Sequence, residues 1–526
     1  MAAATANAAT SIAPPEQTVS TRKLLTFFGM VFGMFMAILD IQIVSASLAE
    51  IQAGLGASAD EISWVQTAYL IAEVIMIPLS GFLSRMLSTR WIFAISAGGF
   101  TLMSFLCGTA SSINEMIVYR ALQGFIGGGM IPTVFASAFT IFPPRMRPIV
   151  SPMIGLVATL APTIGPTVGG YLTDALSWHW LFFINVIPGI IVTVMAVVMI
   201  DFDKPNLSLF DHFDWVGLGS MALFLGCLEY VLEEGPNNDW FQDEAVFVTG
   251  VLCVIGAVVF FWRVLTAKEP IVDLRAFLDR NFATGSIFSF VMGIGLYGLT
   301  YLFPVYLGRV RGYDSLMIGE TMFVTGLCMF FTAPIAGRLM TILDPRVMLF
   351  AGFMGFAAGT LIMTSITHDW DFYELLIPQV LRGVSLMTCM VSINNIALGT
   401  LAPSMMKNAS GLFNLTRNLG GAVGLALINT VLNDRTDLHL QRLRDGVSWG
   451  RDNAVAVFNQ LQQSFATFGD KAEAMTASRL VGMLRREALV LSFSDVFLVL
   501  TLLFAGLACV VVFVRKPAAA GGGGGH

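Results

Sequence analysis

Six ionisable side chains stand where an apolar chain tolerates them least: Asp40 in GMFMAILDIQIV, Glu73 in YLIAEVIMIP, Arg120 in VYRALQG, Glu229 in GCLEYVL, Arg382 in PQVLRGVSL and Arg417 in GLFNLTRNLGGAVG. In a bilayer each costs roughly 2.5 to 3.5 kcal/mol at a helix centre, so residues of this type inside spans mark substrate paths, proton relays or tight ion pairs. Asp40 shares a helical stripe with Gly33, Ala37, Val44 and Ser47 and so faces neighbouring helices or water. At about 1.5 Å of rise per residue, Asp40 and Arg120 fall at similar depth and can pair. Such a carboxylate either takes and releases a proton as its surroundings alternate or forms a permanent structural pair. Glu73 is a second protonation or cation site, or a neutral acid hydrogen-bonded to a neighbouring helix. Glu229 is read as a packing residue.

The guanidiniums of Arg382 and Arg417 suit an anionic head group or anchor helix contacts. Arg382 lies near Gln379 and Asn394, and Arg417 shares a face with Asn414, Asn418, Gly421 and Gly424. With Gln123, one turn beyond Arg120, these residues form the candidate substrate cavity. A third feature is LAPTIGPTVGG, residues 160–170. Gly155, Ala158, Thr159, Pro162, Gly165, Pro166 and Gly169 fall on one nearly bare helix face, and Gly170 adjoins it. Pro162 and Pro166 cannot donate to the preceding turn, which predicts a bend and freed carbonyls. The bare face predicts either a close-packed helix seam or a moving one.

Positioning such groups requires long apolar helices. The chain has 526 residues, 56% hydrophobic and 12% charged, with a formal charge of −6 and a mean hydropathy of +0.76; it is an all-α integral membrane protein. Six apolar stretches near 24–48, 61–83, 91–111, 115–141, 149–173 and 180–200 are followed by two near 214–233 and 246–265. Six more lie near 283–307, 315–338, 347–366, 373–400, 408–432 and 494–514. PLSGFLSRMLSTR (Pro78 to Arg90) and PIAGRLMTILDPR (Pro334 to Arg346) align without a gap, and Arg120 and Arg382 sit early in the fourth helix of each group. Fourteen helices in a 6+2+6 plan with pseudo-symmetric halves follow: residues 1–203 and 276–526 as six-helix bundles, 204–275 as an inserted pair.

Arg85, Arg90, Lys204, Arg263, Arg280, Arg338 and Lys407 fall in connections on the side of both termini, which makes that side cytoplasmic. The segment 434–492 is then a long outer loop whose VFNQLQQSF and ASRLVGMLRREALVL carry apolar residues at helical spacing. Residues 1–20 show no basic-then-apolar pattern, so no cleavable signal is expected. The six cysteines show no metal or disulfide spacing, the glycine-rich tail carries no chemistry, and no Walker motif, catalytic triad or basic tract is present. The chain is therefore expected not to be an enzyme, to need no cofactor or metal, and to bind no nucleic acid. The residues alone support a secondary transporter of unstated direction.

Gly155 followed by APTIGPTVGG resembles the antiporter motif on the fifth helix of major facilitator superfamily exporters. YRALQGFIGGG is similar to that superfamily's fourth-helix motif, with its arginine at Arg120, and ILDIQIVSASL resembles the first-helix Asp motif of the 14-span drug:proton antiporters. WHWLFFINVIPG, FDWVGL and PIVDLRAFLDRNF are similar to junctions of the EmrB-like branch. After the second helix the chain departs from the pattern: Arg85 stands where an Asp is usual and Ser88 replaces a glycine, leaving the usual loop charge relay open.

The resemblance implies the major facilitator fold and export of amphipathic or lipophilic toxic compounds and drugs, driven by the proton gradient. Asp40, Arg120 and Glu73 would couple protons, and the fifth helix would close the cavity. It further implies a bacterial inner (cytoplasmic) membrane location, a periplasmic membrane-fusion adaptor and an outer-membrane channel as partners, with 434–492 the place for the adaptor. A proton-linked importer of an organic anion is the alternative within the fold, and a non-transporting receptor or scaffold the alternative outside it.

Overall fold

The computed structural model describes residues 20–143, 146–267, 270–402, 404–447 and 452–511; the glycine-rich tail and the first residues lie outside them. All regular structure among these residues is helical. The first bundle contains α1 (Thr21–Ala46), a short α2 (Leu48–Leu55), α3 (Ala59–Leu87), α4 (Thr89–Gly108), α5 (Ile113–Gly127), α6 (Met130–Ile141), α7 (Arg147–Ala175), α8 (Trp180–Phe183) and α9 (Val186–Met199). The inserted pair is α10 (Trp215–Glu234) and α11 (Glu244–Thr266). The second bundle contains α12 (Arg280–Tyr306), α13 (Ser315–Leu339), α14 (Pro345–Met363), α15 (Phe372–Leu398), α16 (Met406–Gly446), α17 (Asp452–Ser464) and α18 (Ala472–Val511).

Twelve helices among the described residues are long and apolar enough to cross a membrane, α5 and α6 together counting as one. A bent pair within α7 adds a thirteenth: Pro152–Pro162 and Ile164–Ala175 differ by 43°. The bend falls where Pro162 and Pro166 remove backbone donors. The fourteenth is α16, too polar along its full length to meet the same criteria yet packed against α12 and α18.

Helix starts are written in the sequence as short polar caps. Ser58 and Glu61 form a capping box on α3, Asp371 and Glu374 form one on α15, and Asp243, Asp279 and Asp314 each accept a backbone N–H at the start of α11, α12 and α13. The face on which α1 begins is called here the near face, and the opposite one the far face.

The segment 434–492 is expected to be a long outer connection with apolar residues at helical spacing. Most of it is helix: α16 runs on unbroken to Gly446, and α18 starts at Ala472. At 1.5 Å per residue these helices of 41 and 40 residues are about 60 Å long, twice the roughly 30 Å hydrocarbon core. Their outer parts therefore project from the far face with α17 between them. Asp495 joins them, accepting from Arg435 at 2.7 Å and meeting His439 at 2.8 Å, while Thr436 donates to Ser492 at 3.0 Å.

Candidate functional site: a cavity at the far side and a buried ion pair behind it

Between the halves lies a cavity of about 540 Å³, within the size range of small-molecule sites. Its wall comes from both bundles and the inserted pair: Gln42 on α1, Gln66 and Glu73 on α3, Pro166 on α7, Glu229 and Glu233 on α10, Tyr297, Tyr301 and Arg309 on or just after α12, and Asn418 and Asn429 on α16. Most of these positions lie in the far halves of their helices, with Glu73 and Asn418 near mid-depth, so the cavity opens to the far face. Glu73 and Glu229 are 3% and 6% exposed, and neither has a hydrogen-bond or ion-pair partner among the described residues.

The near half is shut where the bundles meet. A Cβ on Gly81 of α3 would come 2.9 Å from the Lys407 carbonyl oxygen, and one on Gly411 of α16 would come 3.1 Å from that of Ile77. Only glycine permits backbones to pass so closely. Phe135 of α6 and Phe413 of α16 lie 6.2 Å apart, with the Arg417 guanidinium over both rings at 5.2 and 5.0 Å. At the near surface Lys407 pairs with Asp203 and donates to the Ser84 carbonyl at 2.9 Å, and Asp203 accepts the Thr89 N–H at 3.0 Å. This link between halves stands where the departing loop motif left the charge relay open. Ser88 sits at φ 82°, ψ 159°, a conformation that glycine adopts freely and serine does not.

Behind the first bundle's cavity wall lies a sealed polar network. Asp40 and Arg120 are both 0% exposed, joined at 2.6 Å. Asp40 also accepts from Asn185 at 2.7 Å, and Asn185 donates to Ser104 at 3.1 Å. Arg120 donates to Gln123 at 2.8 Å and to the Val65 carbonyl at 3.2 Å, and lies 4.2 Å from the centre of the Tyr69 ring. The glycines after Arg120 make this possible: a Cβ on Gly124 would strike the Tyr69 carbonyl, and one on Gly128 would lie 3.1 Å from that of Glu73. Close approach of α5 to α3 thus sets both Tyr69 and Glu73. Asn185 was absent from the sequence reading, although an amide in an otherwise apolar span was its visible signal.

The remaining candidates disperse. Of the seven cavity candidates only Asn418 lines the far-side cavity, accepting from Tyr297 at 3.3 Å. Gln123 belongs to the Asp40 network. Gln379 ties α15 to α13 through Thr325 and the Thr321 carbonyl. Arg417 donates to Asn394 at 3.2 Å, and Asn414 donates to its own helix at Ser410. Arg382 donates to Thr300 at 2.6 Å and sits one residue behind the cavity wall.

Glu229, read as packing, is instead a wall residue, because α10 lies against α3 and α16 and not out in lipid. On α7 the far part of the bare face turns inward to its own bundle. A Cβ on Gly165 would collide with Gln42, and one on Gly169 would come 2.9 Å from the Ile43 carbonyl, both on α1. Gly155, on which a Cβ would come 3.0 Å from Met387, and Thr167, filling the space at Gly319, meet the other half. Gly170 is buried and Pro162 is buried at the bend. Among the described residues no group of His, Cys, Asp and Glu has the number of ligands a metal needs.

The family model of the Major Facilitator Superfamily matches residues 30–425. The colistin resistance protein EmrB of Acinetobacter baumannii is 42% identical over 93% of this chain and 96% of its own length. The chain belongs to the Major Facilitator Superfamily, in its EmrB-like branch. The multidrug export protein EmrB of Escherichia coli K12 is 29% identical over 92% of this chain and 93% of its own. The fatty acid resistance protein FarB of Neisseria gonorrhoeae is also 29% identical, over 94% and 96%. Among solved structures the human organic anion transporter MFSD10 superposes with a TM-score of 0.57 at 13% identity, covering 94% of this chain and all of its own; this likeness concerns the fold. The protein is accordingly a multi-pass membrane transporter.

Proposed function

We propose that this transporter exports amphipathic and lipophilic drugs and toxic compounds, each outward step exchanged for protons. Relatives named as a colistin resistance protein and a multidrug export protein support the export of drugs. The observation that carries the coupling is the arrangement of two compartments. A drug-sized cavity opens to the far face, while Asp40 and Arg120, sealed from water, lie on the same helices that form its wall: Gln42 follows Asp40 by two residues. A carboxylate held by one guanidinium can exchange its proton only when the surrounding helices shift, which ties its titration to the alternation of the cavity. The distribution of Lys and Arg supports a cytoplasmic near face in a bacterial inner membrane, and the far-side opening then supports an outward-open member of that cycle.

The projecting α16–α18 hairpin supports a periplasmic adaptor, and through it an outer-membrane channel, as partners. Its length and its polar clamps at Asp495 hold a rigid post beside the cavity mouth.

Everted vesicles with an acid interior test the reading. They are expected to accumulate lipophilic compounds drawn from a panel of anions and cations, and to lose them when the pH gradient is collapsed. Accumulation indifferent to that collapse overturns proton coupling.

A further inference from the structure

The inserted pair could have been a spacer held at the edge of the bundles, as the packing role expected for Glu229 would have it. Instead α10 supplies a stretch of the cavity wall, from Glu229 to Glu233 and on to Asn237 just beyond it. Resting on the export reading above, we infer that this wall selects the cargo: the site takes amphipathic organic cations, bound by Glu73 from the first bundle together with Glu229 and Glu233 from the inserted helix.

Four observations carry this. First, the cavity lining holds three carboxylates and one cationic side chain, Arg309, which is exposed at the mouth while Glu73 and Glu229 lie inside, more than nine-tenths buried. Second, the buried carboxylates are unanswered. Among the described residues neither has an ion-pair or hydrogen-bond partner, Arg120 reaching Glu73 only at longer Coulombic range, whereas Asp40, one helix away, has both an arginine and an asparagine in direct contact. A structural carboxylate at such cost is ordinarily paired; an unpaired one facing a cavity awaits a charge from outside.

Third, Glu229 lies within Coulombic reach of both Glu73 and Glu233, so the carboxylates address one bound charge together. Fourth, Tyr297 and Tyr301 line the same space with Leu70, Val74, Leu232 and Leu425. Aromatic faces attract a desolvated organic cation, and the aliphatic side chains cover its apolar body. Neither Arg417 nor Arg382, the groups an anion would need, lines the cavity: Arg417 is engaged by Asn394 and the phenylalanine rings of the closed near half, and Arg382 lies behind the wall residue Thr300.

Tetraphenylphosphonium and tetraphenylborate have nearly the same size and shape and opposite charge, which isolates the charge preference. The full-length protein in nanodiscs is expected to bind the phosphonium at least tenfold more tightly than the borate. Glu229→Gln with Glu233→Gln should lower phosphonium affinity roughly tenfold and leave borate affinity unchanged or higher. Arg309→Gln, at the exposed mouth, should raise phosphonium affinity and so tests the charge argument without touching the buried wall.

Equal binding of the two ions, or phosphonium affinity unmoved by the glutamine pair in a protein that elutes as wild type does, overturns the inference. Proton-driven export of the borate in preference to the phosphonium also overturns it while leaving export intact. Failure of a pH gradient to drive either ion into everted vesicles, with phosphonium still bound tenfold better, overturns the export reading and sustains the site.

Discussion

Arg120 and Arg382 occupy equivalent places in the two bundles and meet different company. Each lies in the fourth long helix of its half, each is buried, and each stacks over a ring, Tyr69 at 4.2 Å and Phe303 at 5.4 Å. Across from Arg120 stands Asp40 on α1; across from Arg382 stands Thr300 on α12, a neutral hydroxyl at 2.6 Å. Nε and Nη1 of Arg382 find no hydrogen-bond partner among the described residues. The scaffold is repeated and the carboxylate is not, so one half of the molecule holds a charge-balanced ion pair and the other a guanidinium bonded to a neutral hydroxyl. The difference teaches that the repeat conserves helix packing while the chemistry is placed on one side of the pseudo-twofold.

Breaking the pair should produce the largest effect. Asp40→Asn leaves Arg120 buried without its counter-charge, at a cost of about 3 to 5 kcal/mol, and removes the proton-accepting group. Proton release on adding substrate should vanish, and the Asp40→Asn, Arg120→Gln double variant should recover much of the stability but none of the release. Proton release at wild-type level in the single variant would take Asp40 out of the mechanism. By the same comparison Arg382→Gln orphans no carboxylate, and its cost should stay within about 1 kcal/mol or turn favourable. Thermal unfolding of both variants in one detergent measures the contrast; equal losses would mean that the halves are balanced after all.

The turn after the second long helix offers a smaller version of the contrast. Ser88 in the first half corresponds in the repeat to Asp344, which is relaxed at φ −65° and caps α14 by accepting from the Arg346 N–H at 3.0 Å. Ser88 is at φ 82° and cannot cap, so Asp203 from a distant loop accepts the Thr89 N–H in its place. Ser88→Gly should relieve the strain and stabilise the protein by about 1 kcal/mol, whereas Asp344→Gly should destabilise it by a few tenths to 1 kcal/mol through loss of the cap.

The smallest expected effect lies at the far face. The cap of α5 is Ser112, which does not titrate; the equivalent cap of α15 is Asp371. Hydrogen bonds from the Tyr313 hydroxyl first, then from the Phe372 N–H, with Arg311 beside them, hold the Asp371 carboxyl below its usual range. A carboxyl lowered in the folded state contributes stability above its unfolded value and loses it as pH falls through the lowered one. The clasp between the α12–α13 connection and α15 should therefore weaken below about pH 4, by under about 1 kcal/mol because Asp371 is half-exposed. Hydrogen exchange in residues 307–314 as a function of pH reads it, and Asp371→Asn should abolish the dependence.

Much of this was legible in the chain. Apolar length marked the spans, the gapless match of Pro78 to Arg90 with Pro334 to Arg346 exposed the repeat, and depth alone paired Asp40 with Arg120. These features are one-dimensional: hydrophobic run, spacing and rise per residue are properties of a helix before it meets another. The rotation and neighbours of each helix are not. Gln379, Asn394 and Arg417 read as cavity groups because they are polar at mid-depth, but helix contacts consume them. Glu229 read as packing because its helix lies outside the repeat, yet the packing of α10 against α3 and α16 puts it on the cavity wall.

The bare face of α7 could be found from spacing, but whether it met its own bundle or the other was set by where α1 lies. The sequence by itself determined that this chain crosses a membrane in two related bundles and carries a buried charge pair, because burial of apolar length and the cost of intramembrane charge act residue by residue. Only the tertiary structure decided which side is open and which carboxylates are left unpaired, because both depend on distances between helices far apart in the chain.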